Sequence, residues 1–368
     1  MLEALMNPAA LLKGNYKLGE TAKSAAHSLG LSKIYKMNSN ENPFGVSPLA
    51  AKAMAEAAYR TNFYPDPTGA ELRKKLADYL GEGLHAENIV LTEGASVAIT
   101  LLADMVLNPG DEVIEHWPTY SGYQRRMMDT RQAVAVKVPE GADRCPDFDA
   151  MYQAITEKTK IIVICNPNNP TGVLADAEKL TAFIRKVPSN IIVMVDEAYI
   201  DFVDDESYPS AIRLVNEVPN LVVLRTFSKI SGLAGARIGY AVACPEMIFY
   251  YNNLVNFFCA STAALEGAAA ALDDDEFRQM TRRENRKGRE YLIKELQAMG
   301  LNPYPSQANF VACDITGVDA NEVAELLRKK GILIRGNLGV PRITVGDEEA
   351  NHACIDAIRE IMREKGLC

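Results

Sequence analysis

The chain has 368 residues, too many for one ordinary hydrophobic core and enough for a large domain plus a smaller one. Hydrophobic residues make up 48% and charged residues 24%, which excludes a disordered chain or a small stapled scaffold. With 48 acidic against 39 basic residues the net charge is −9, and no local basic patch breaks this background, which argues against nucleic acid or anionic membrane as a partner.

From about residue 90 the chain alternates short apolar β-rich runs with longer amphipathic ones. Strands are expected over 88–92, 112–115, 161–165, 191–195 and 221–224, and helices over 97–106, 120–130 and 177–187. Runs that lack a polar face belong to strands covered on both sides, so their spacing by helices predicts an α/β large domain with a doubly wound, mostly parallel sheet. After about residue 260 come an Ala-rich helical stretch and a long charged helix over 274–299. The run Asp273-Asp274-Asp275-Glu276 opens it and suits a helix N-terminus. A strand at 309–313, a helix over 320–330, short strands over 332–334 and 342–345 and a last helix from 348 form a smaller α+β block. The expected division is a large domain over 44–262 and a small domain formed by 1–43 together with 263–368.

The seven cysteines, Cys145, Cys165, Cys244, Cys259, Cys313, Cys354 and Cys368, are odd in number and contain no C-x-x-C pair. Neither a zinc cage nor a disulfide framework is indicated, and reduced thiols in a cytoplasm fit best. Residues 1–13 lack the pattern of a signal peptide, and no stretch approaches the roughly 18 apolar residues of a membrane span. The histidines are scattered without metal-ligand spacing, so no metal site is expected.

In a sheet of this kind ligands gather at the carboxyl ends of the strands, so chemistry is sought just after each apolar run. Asp196 follows Ile191-Ile192-Val193-Met194-Val195, where a buried carboxylate needs a cationic or hydrogen-bonding partner. Lys229 ends Arg225-Thr226-Phe227-Ser228-Lys229 and precedes the glycine-containing stretch Ser231-Gly232-Leu233-Ala234-Gly235-Ala236-Arg237. Hydroxyls, amides and an arginine this close together suit a phosphate, and a partly desolvated lysine can lose its proton and form a Schiff base. Taken singly, Asp196 also suits a helix cap or structural ion pair, and Lys229 a solvated turn. Together, an aspartate for a pyridinium nitrogen, a lysine for an imine and a phosphate cup describe a pyridoxal phosphate site.

These residues resemble the fold-type I pyridoxal-phosphate enzymes of the aspartate aminotransferase superfamily, and within it the histidinol-phosphate aminotransferases. The similar blocks run from Asn40-Glu41-Asn42-Pro43-Phe44-Gly45 to Arg342-Ile343-Thr344-Val345-Gly346 and cover most of the chain. The resemblance implies that Lys229 carries the cofactor and moves the substrate's α-proton, that Asp196 holds the ring nitrogen, and that Tyr199 and Asn169 bond the ring oxygen. It implies Tyr120 as the aromatic stacked on the ring. The phosphate would lie on the amides of Ala95 and Ser96, the hydroxyls of Thr226 and Ser228, and Arg237. Tyr64, in Tyr64-Pro65-Asp66-Pro67, resembles a tyrosine that reaches the neighbouring subunit's cofactor, which implies a homodimer with shared active sites.

For the substrate, Arg342 matches an arginine that clamps a carboxylate, Arg335 and Tyr16 fall where relatives bind a substrate phosphate, and Asn42 joins the substrate-binding set. The implied reaction takes a small-molecule amino donor and a 2-oxo acid, histidinol phosphate with 2-oxoglutarate. An aromatic or broad-specificity aminotransferase and a pyridoxal-phosphate-dependent amino-acid-phosphate decarboxylase are the alternatives. Two departures from the family pattern lie near substrate and phosphate: the short 336–341 segment, and Thr92-Glu93-Gly94-Ala95-Ser96-Val97-Ala98 in place of a more acidic Gly-Ser/Ala-Asp-Glu pattern.

Overall fold

The computed structural model describes residues 2–6, 8–11, 20–315 and 317–367. Its strands, in chain order, are β1 (Tyr35–Lys36), β2 (Ile89–Thr92), β3 (Glu112–Trp117), β4 (Val134–Pro139), β5 (Thr159–Cys165), β6 (Ile192–Asp196), β7 (Leu221–Thr226), β8 (Gly239–Ala243), β9 (Phe310–Ala312), β10 (Ile332–Leu333) and β11 (Arg342–Thr344). β2 to β8 form one seven-stranded sheet in the order β2-β8-β7-β6-β5-β3-β4. Strands β3 to β7 run parallel, while β8 runs antiparallel to both β2 and β7.

The central strands are apolar on both faces because both faces are covered. Successive side chains of a strand point to opposite sides. Accordingly Ile162, Ile164, Val193, Val195 and Val223 enter one hydrophobic cluster, with Leu72, Leu76, Leu180 and Phe183 from the helices over it. Their neighbours Ile161, Val163, Met194, Val222 and Leu224 enter the cluster on the other face, with Ile99, Leu102, Tyr123 and Met127. Sequence reading passes over two strands of this sheet, and over the two-residue β1 outside it. β4 is a half-exposed edge strand, and β8 is a five-residue strand, Gly239-Tyr240-Ala241-Val242-Ala243, that opens on a glycine and holds two alanines.

A second core forms around the β9–β11 and β1–β10 pairs. It takes Leu292 and Leu296 from the Asp275–Ala298 helix, Val323 and Leu327 from Ala320–Lys329, Ile355 and Ile358 from Glu348–Glu364, and Met37 beside β1. The expected boundary at 262 falls at the start of the Thr262–Asp273 helix. That helix places Ala264, Ala268 and Ala271 in the main sheet's cluster, so its small-residue face packs with the sheet's helices and not with the second core. Asp274 caps the following helix by accepting from the Phe277 amide, and it also receives the Ser47 hydroxyl at 2.5 Å, which ties the two parts together. Among the described residues no helix is long and apolar enough to cross a membrane, and the six described cysteines are free.

Candidate active site

The carboxyl ends of β5, β6 and β7 open into a cavity of about 420 Å³. β6 delivers Asp196 and the turn after it Tyr199; the loop after β5 delivers Asn169; β7 ends in Thr226, and the loop after it delivers Ser228 and Lys229. Ala95, Ser96, Tyr120, Arg237, Arg335 and Arg342 also line this cavity, so residues widely spaced in sequence meet in one space.

Asp196 is buried and its carboxylate has two donors. The Tyr123 hydroxyl gives a 2.7 Å bond to Oδ2, and the Ala198 amide a 3.1 Å bond to Oδ1. Burial pushes the Asp196 carboxyl up, against the pull of those donors. A cation on its cavity side would relieve that cost. Tyr123 is the residue that sequence reading missed here; it is fully buried and the Tyr120 ring meets it edge-on, centroids 5.2 Å apart.

Lys229 is half-buried, and its Nζ donates to the Ser39 carbonyl at 3.3 Å. Burial first, and then the Arg342 charge, lower its ammonium to about 8, so the amine is readily freed near neutral pH. The Tyr199 oxygen accepts from Asn40 Nδ2 at 3.0 Å and from Asn169 Nδ2 at 3.4 Å, which leaves its own O–H to donate. The Asn169 amide is oriented by its other end, where Oδ1 accepts from Arg342 Nη1 at 2.7 Å; a guanidinium only donates, so the oxygen must face it. Arg342 Nη2 donates to the Asn38 carbonyl at 2.8 Å. Arg335 lies beside Arg342 through a two-way backbone pairing, 3.1 and 2.8 Å.

At the β2 end, Gly94 precedes the Ala95–Val106 helix at φ +83°, and a Cβ there would fall 2.4 Å from Arg237 Nη2. Thus the glycine lets a guanidinium close over the helix N-terminus, where the Ala95 and Ser96 amides are aimed outward. Arg237 itself sits at φ +56° and donates to the carbonyls of Ala234 at 2.8 Å and Glu93 at 3.3 Å. The Thr226 hydroxyl donates to Ser228 Oγ at 2.9 Å, putting two hydroxyls beside the same end. Amides, hydroxyls and a guanidinium with no carboxylate among them form a suitable cradle for a phosphate.

Two expected residues, Tyr64 and Asn42, do not line this cavity. Tyr64 is 83% exposed and stacks on Phe258, centroids 4.7 Å apart. Asn42 does not line the cavity; its side chain donates to the Ile230 carbonyl at 3.0 Å and accepts from the Phe44 amide, bracing the loop that carries Lys229. Tyr16 lies outside the described residues. Asn40, by contrast, was not singled out, yet it is buried at φ +52° and is bonded to Tyr199, to Thr344 Oγ1 and to Asn309 Nδ2. Its signal was present in the Asn-Glu-Asn-Pro block. Among the described residues no group of His, Cys, Asp or Glu is placed to hold a metal ion.

The model of the family described as aminotransferase class I and II matches residues 32–358. The histidinol-phosphate aminotransferase of Halalkalibacterium halodurans is 37% identical over 356 residues, covering 95% of each chain. That of Moorella thermoacetica is 38% identical over 355 residues, covering 94% of this chain and 90% of the relative. Among solved structures, the histidinol-phosphate aminotransferase from Sinorhizobium meliloti in complex with pyridoxal-5'-phosphate is similar at a TM-score of 0.88 and 27% identity, covering 98% of both chains.

Proposed function

Because the chain belongs to the class I and II aminotransferases, we propose that it is a pyridoxal-phosphate-dependent enzyme that moves the amino group between histidinol phosphate and 2-oxoglutarate. The carrying observation is one cavity holding Lys229, Asp196 and Tyr199 between the guanidinium of Arg237 on the Gly94 side and that of Arg342 on the Asn169 side. The identity with relatives named for histidinol phosphate supports the donor.

The residues fit the cofactor. Asp196 is a costly buried carboxylate that a pyridinium nitrogen would neutralise, Tyr199 has an O–H left to donate to a ring oxygen, and the cradle at Gly94 suits a phosphate. When bound, pyridoxal 5'-phosphate supplies an electron-accepting ring for the pair released at the substrate's α-carbon. The chain's own residues do the rest. Lys229 Nζ, brought near neutrality by burial, takes the α-proton of the amino donor and returns it as the amine moves. Asn169 orients Arg342, and Arg342 fixes an anionic substrate group through paired N–H donors. Arg335, held beside it by backbone pairing, supplies a second positive charge for a phosphate. Tyr120 packs against Tyr123 and forms one wall for the ring. A cytoplasmic homodimer in which Tyr64 serves the partner's site is part of the same reading; the exposure of Tyr64 supports it.

The purified protein, supplied with pyridoxal phosphate, histidinol phosphate and 2-oxoglutarate, should form glutamate. Glutamate from phenylalanine but not from histidinol phosphate would select a broad-specificity aminotransferase. Carbon dioxide released from an amino-acid phosphate without any oxo acid would select a decarboxylase.

A further inference from the structure

Several arginines withdrawn from solvent elsewhere in this fold close on carboxylates, and Arg73 places Nε and Nη2 on the Ala86 carbonyl. Arg225 Nη2 lies 2.8 Å from Glu197 Oε2, Arg289 Nη2 lies 2.5 Å from Asp204 Oδ2, and Arg131 pairs with Asp104. Removing a guanidinium from water is costly without such a partner. Arg126 is half-buried and lines the same cavity as Ser96, Ile99 and Tyr120. Among the described residues no carboxylate lies within ion-pair distance of it; Nη1 makes a long 3.5 Å contact with Thr100 Oγ1.

The placement points toward the phosphate cradle. Thr100 stands four residues after Ser96 on the Ala95–Val106 helix, hence on the same face one turn further. Arg126 belongs to the π-helical segment Gln124–Asp129, between Tyr123, which holds Asp196, and the buried Met127 and Met128. Its backbone is therefore fixed by the core. The cavity's acids are already engaged, Asp196 by Tyr123 and Ala198, and Glu41 by Lys36 at 2.5 Å. A phosphomonoester carries about −1.5 to −2 at pH 7, whereas one guanidinium and a helix N-terminus offer about +1.5. A second guanidinium closes the gap.

We infer that Arg126 is a second cationic donor to the cofactor's phosphate, completing a site for a phosphomonoester dianion shared with Arg237. This inference rests on the pyridoxal phosphate reading above. The test strips the full chain of cofactor and titrates it with pyridoxal 5'-phosphate and with pyridoxal, following absorbance. Arg126→Met should weaken binding of the phosphate form roughly ten- to a hundredfold, the weight of one charge-assisted bond, and leave pyridoxal binding unchanged. Arg126→Lys should recover part of the loss, and Arg126→Met should flatten the salt dependence of binding. Equal affinities for wild type and Arg126→Met, or equal losses for both aldehydes, overturn the inference while the functional reading stands. A wild type that binds neither aldehyde overturns the functional reading itself. Should Arg126→Met not fold, Arg126→Lys carries the same discrimination: a loss confined to the phosphate form supports the role, and an equal effect on both refutes it.

Discussion

Replacing Asp196 with Asn should stabilise the cofactor-free protein while removing most of its activity. The amide is nearly isosteric: Oδ1 can keep the Ala198 amide, now at 3.1 Å, and Nδ2 can donate to the Tyr123 oxygen, whose own hydroxyl now donates at 2.7 Å. Only the charge is lost. Burial raises this carboxyl above the 3.8 at which it titrates when exposed, so over that window the folded chain binds more protons than the unfolded one. Wild-type stability accordingly falls as pH rises through the window and remains lowered at neutrality; the Asn variant lacks that fall. Relief of a strained functional position commonly contributes about 0.5–2 kcal/mol, or roughly 1–3 °C in Tm for a chain of this size. Melting curves of both cofactor-free proteins from about pH 4 to about pH 8 measure the difference, which should vanish at the acid end. Turnover should drop on the order of a thousandfold. An Asn variant that melts below wild type throughout would refute the reasoning, since Tyr123, Ala198 and Lys229 would then more than offset the burial. Near-normal turnover would show that another group holds the ring nitrogen.

With Lys229 lowered to about 8, capture of pyridoxal phosphate by the cofactor-free protein should quicken as pH rises and level off above that value, when Nζ has lost its proton; borohydride should then fix the cofactor to Lys229, and attachment to another lysine would remove the assignment. Arg342→Lys should raise the KM for glutamate roughly ten- to a hundredfold, because an ammonium cannot reach both Asn169 and the Asn38 carbonyl and still grip a carboxylate with two parallel bonds. Arg335→Ala should depress kcat/KM for histidinol phosphate about tenfold more than for phenylalanine; equal losses would favour a broad-specificity enzyme. Mixing Lys229→Ala chains with Tyr64→Ala chains should regenerate activity in heterodimers that have one unlesioned site, and no recovery despite proven subunit exchange would assign Tyr64 to its own subunit or to packing.

What could be read from the sequence was whatever a local pattern announces. Asp196 and Lys229 stand just past apolar runs, so a continuous apolar strand and an out-of-place charge sufficed to find them. Tyr123 lay inside an amphipathic stretch where an aromatic at helical spacing reads as core, and its bond to Asp196 spans 73 residues of sequence. Asn40 joins Tyr199, Asn309 and Thr344, separations that no window of periodicity covers. Strand β8 escaped because a glycine and two alanines among its five residues weaken the β signal, and Gly239 is required there, since a Cβ would come 2.4 Å from the Ala95 amide nitrogen. Asn42 shows the converse: a residue drawn to the site by its motif, yet employed in bracing the Lys229 loop.

The Ser39 and Asn38 carbonyls, which receive Lys229 and Arg342, carry a consequence for how this chain can drift. A carbonyl is present whatever side chain is attached, so mutation at these two positions alters the contacts only through the path of the backbone. Selection on Lys229 and Arg342 therefore constrains the course of the 38–39 segment, its exit through Asn40 at φ +52° above all, more than the identity of residues 38 and 39. Insertions or deletions between β1 and Asn40 would be purged, whereas a lineage could exchange the Ser39 side chain and retain the same grip on the lysine; Met37 in the second core and the buried, hydrogen-bonded Asn38 are held by their side chains as well.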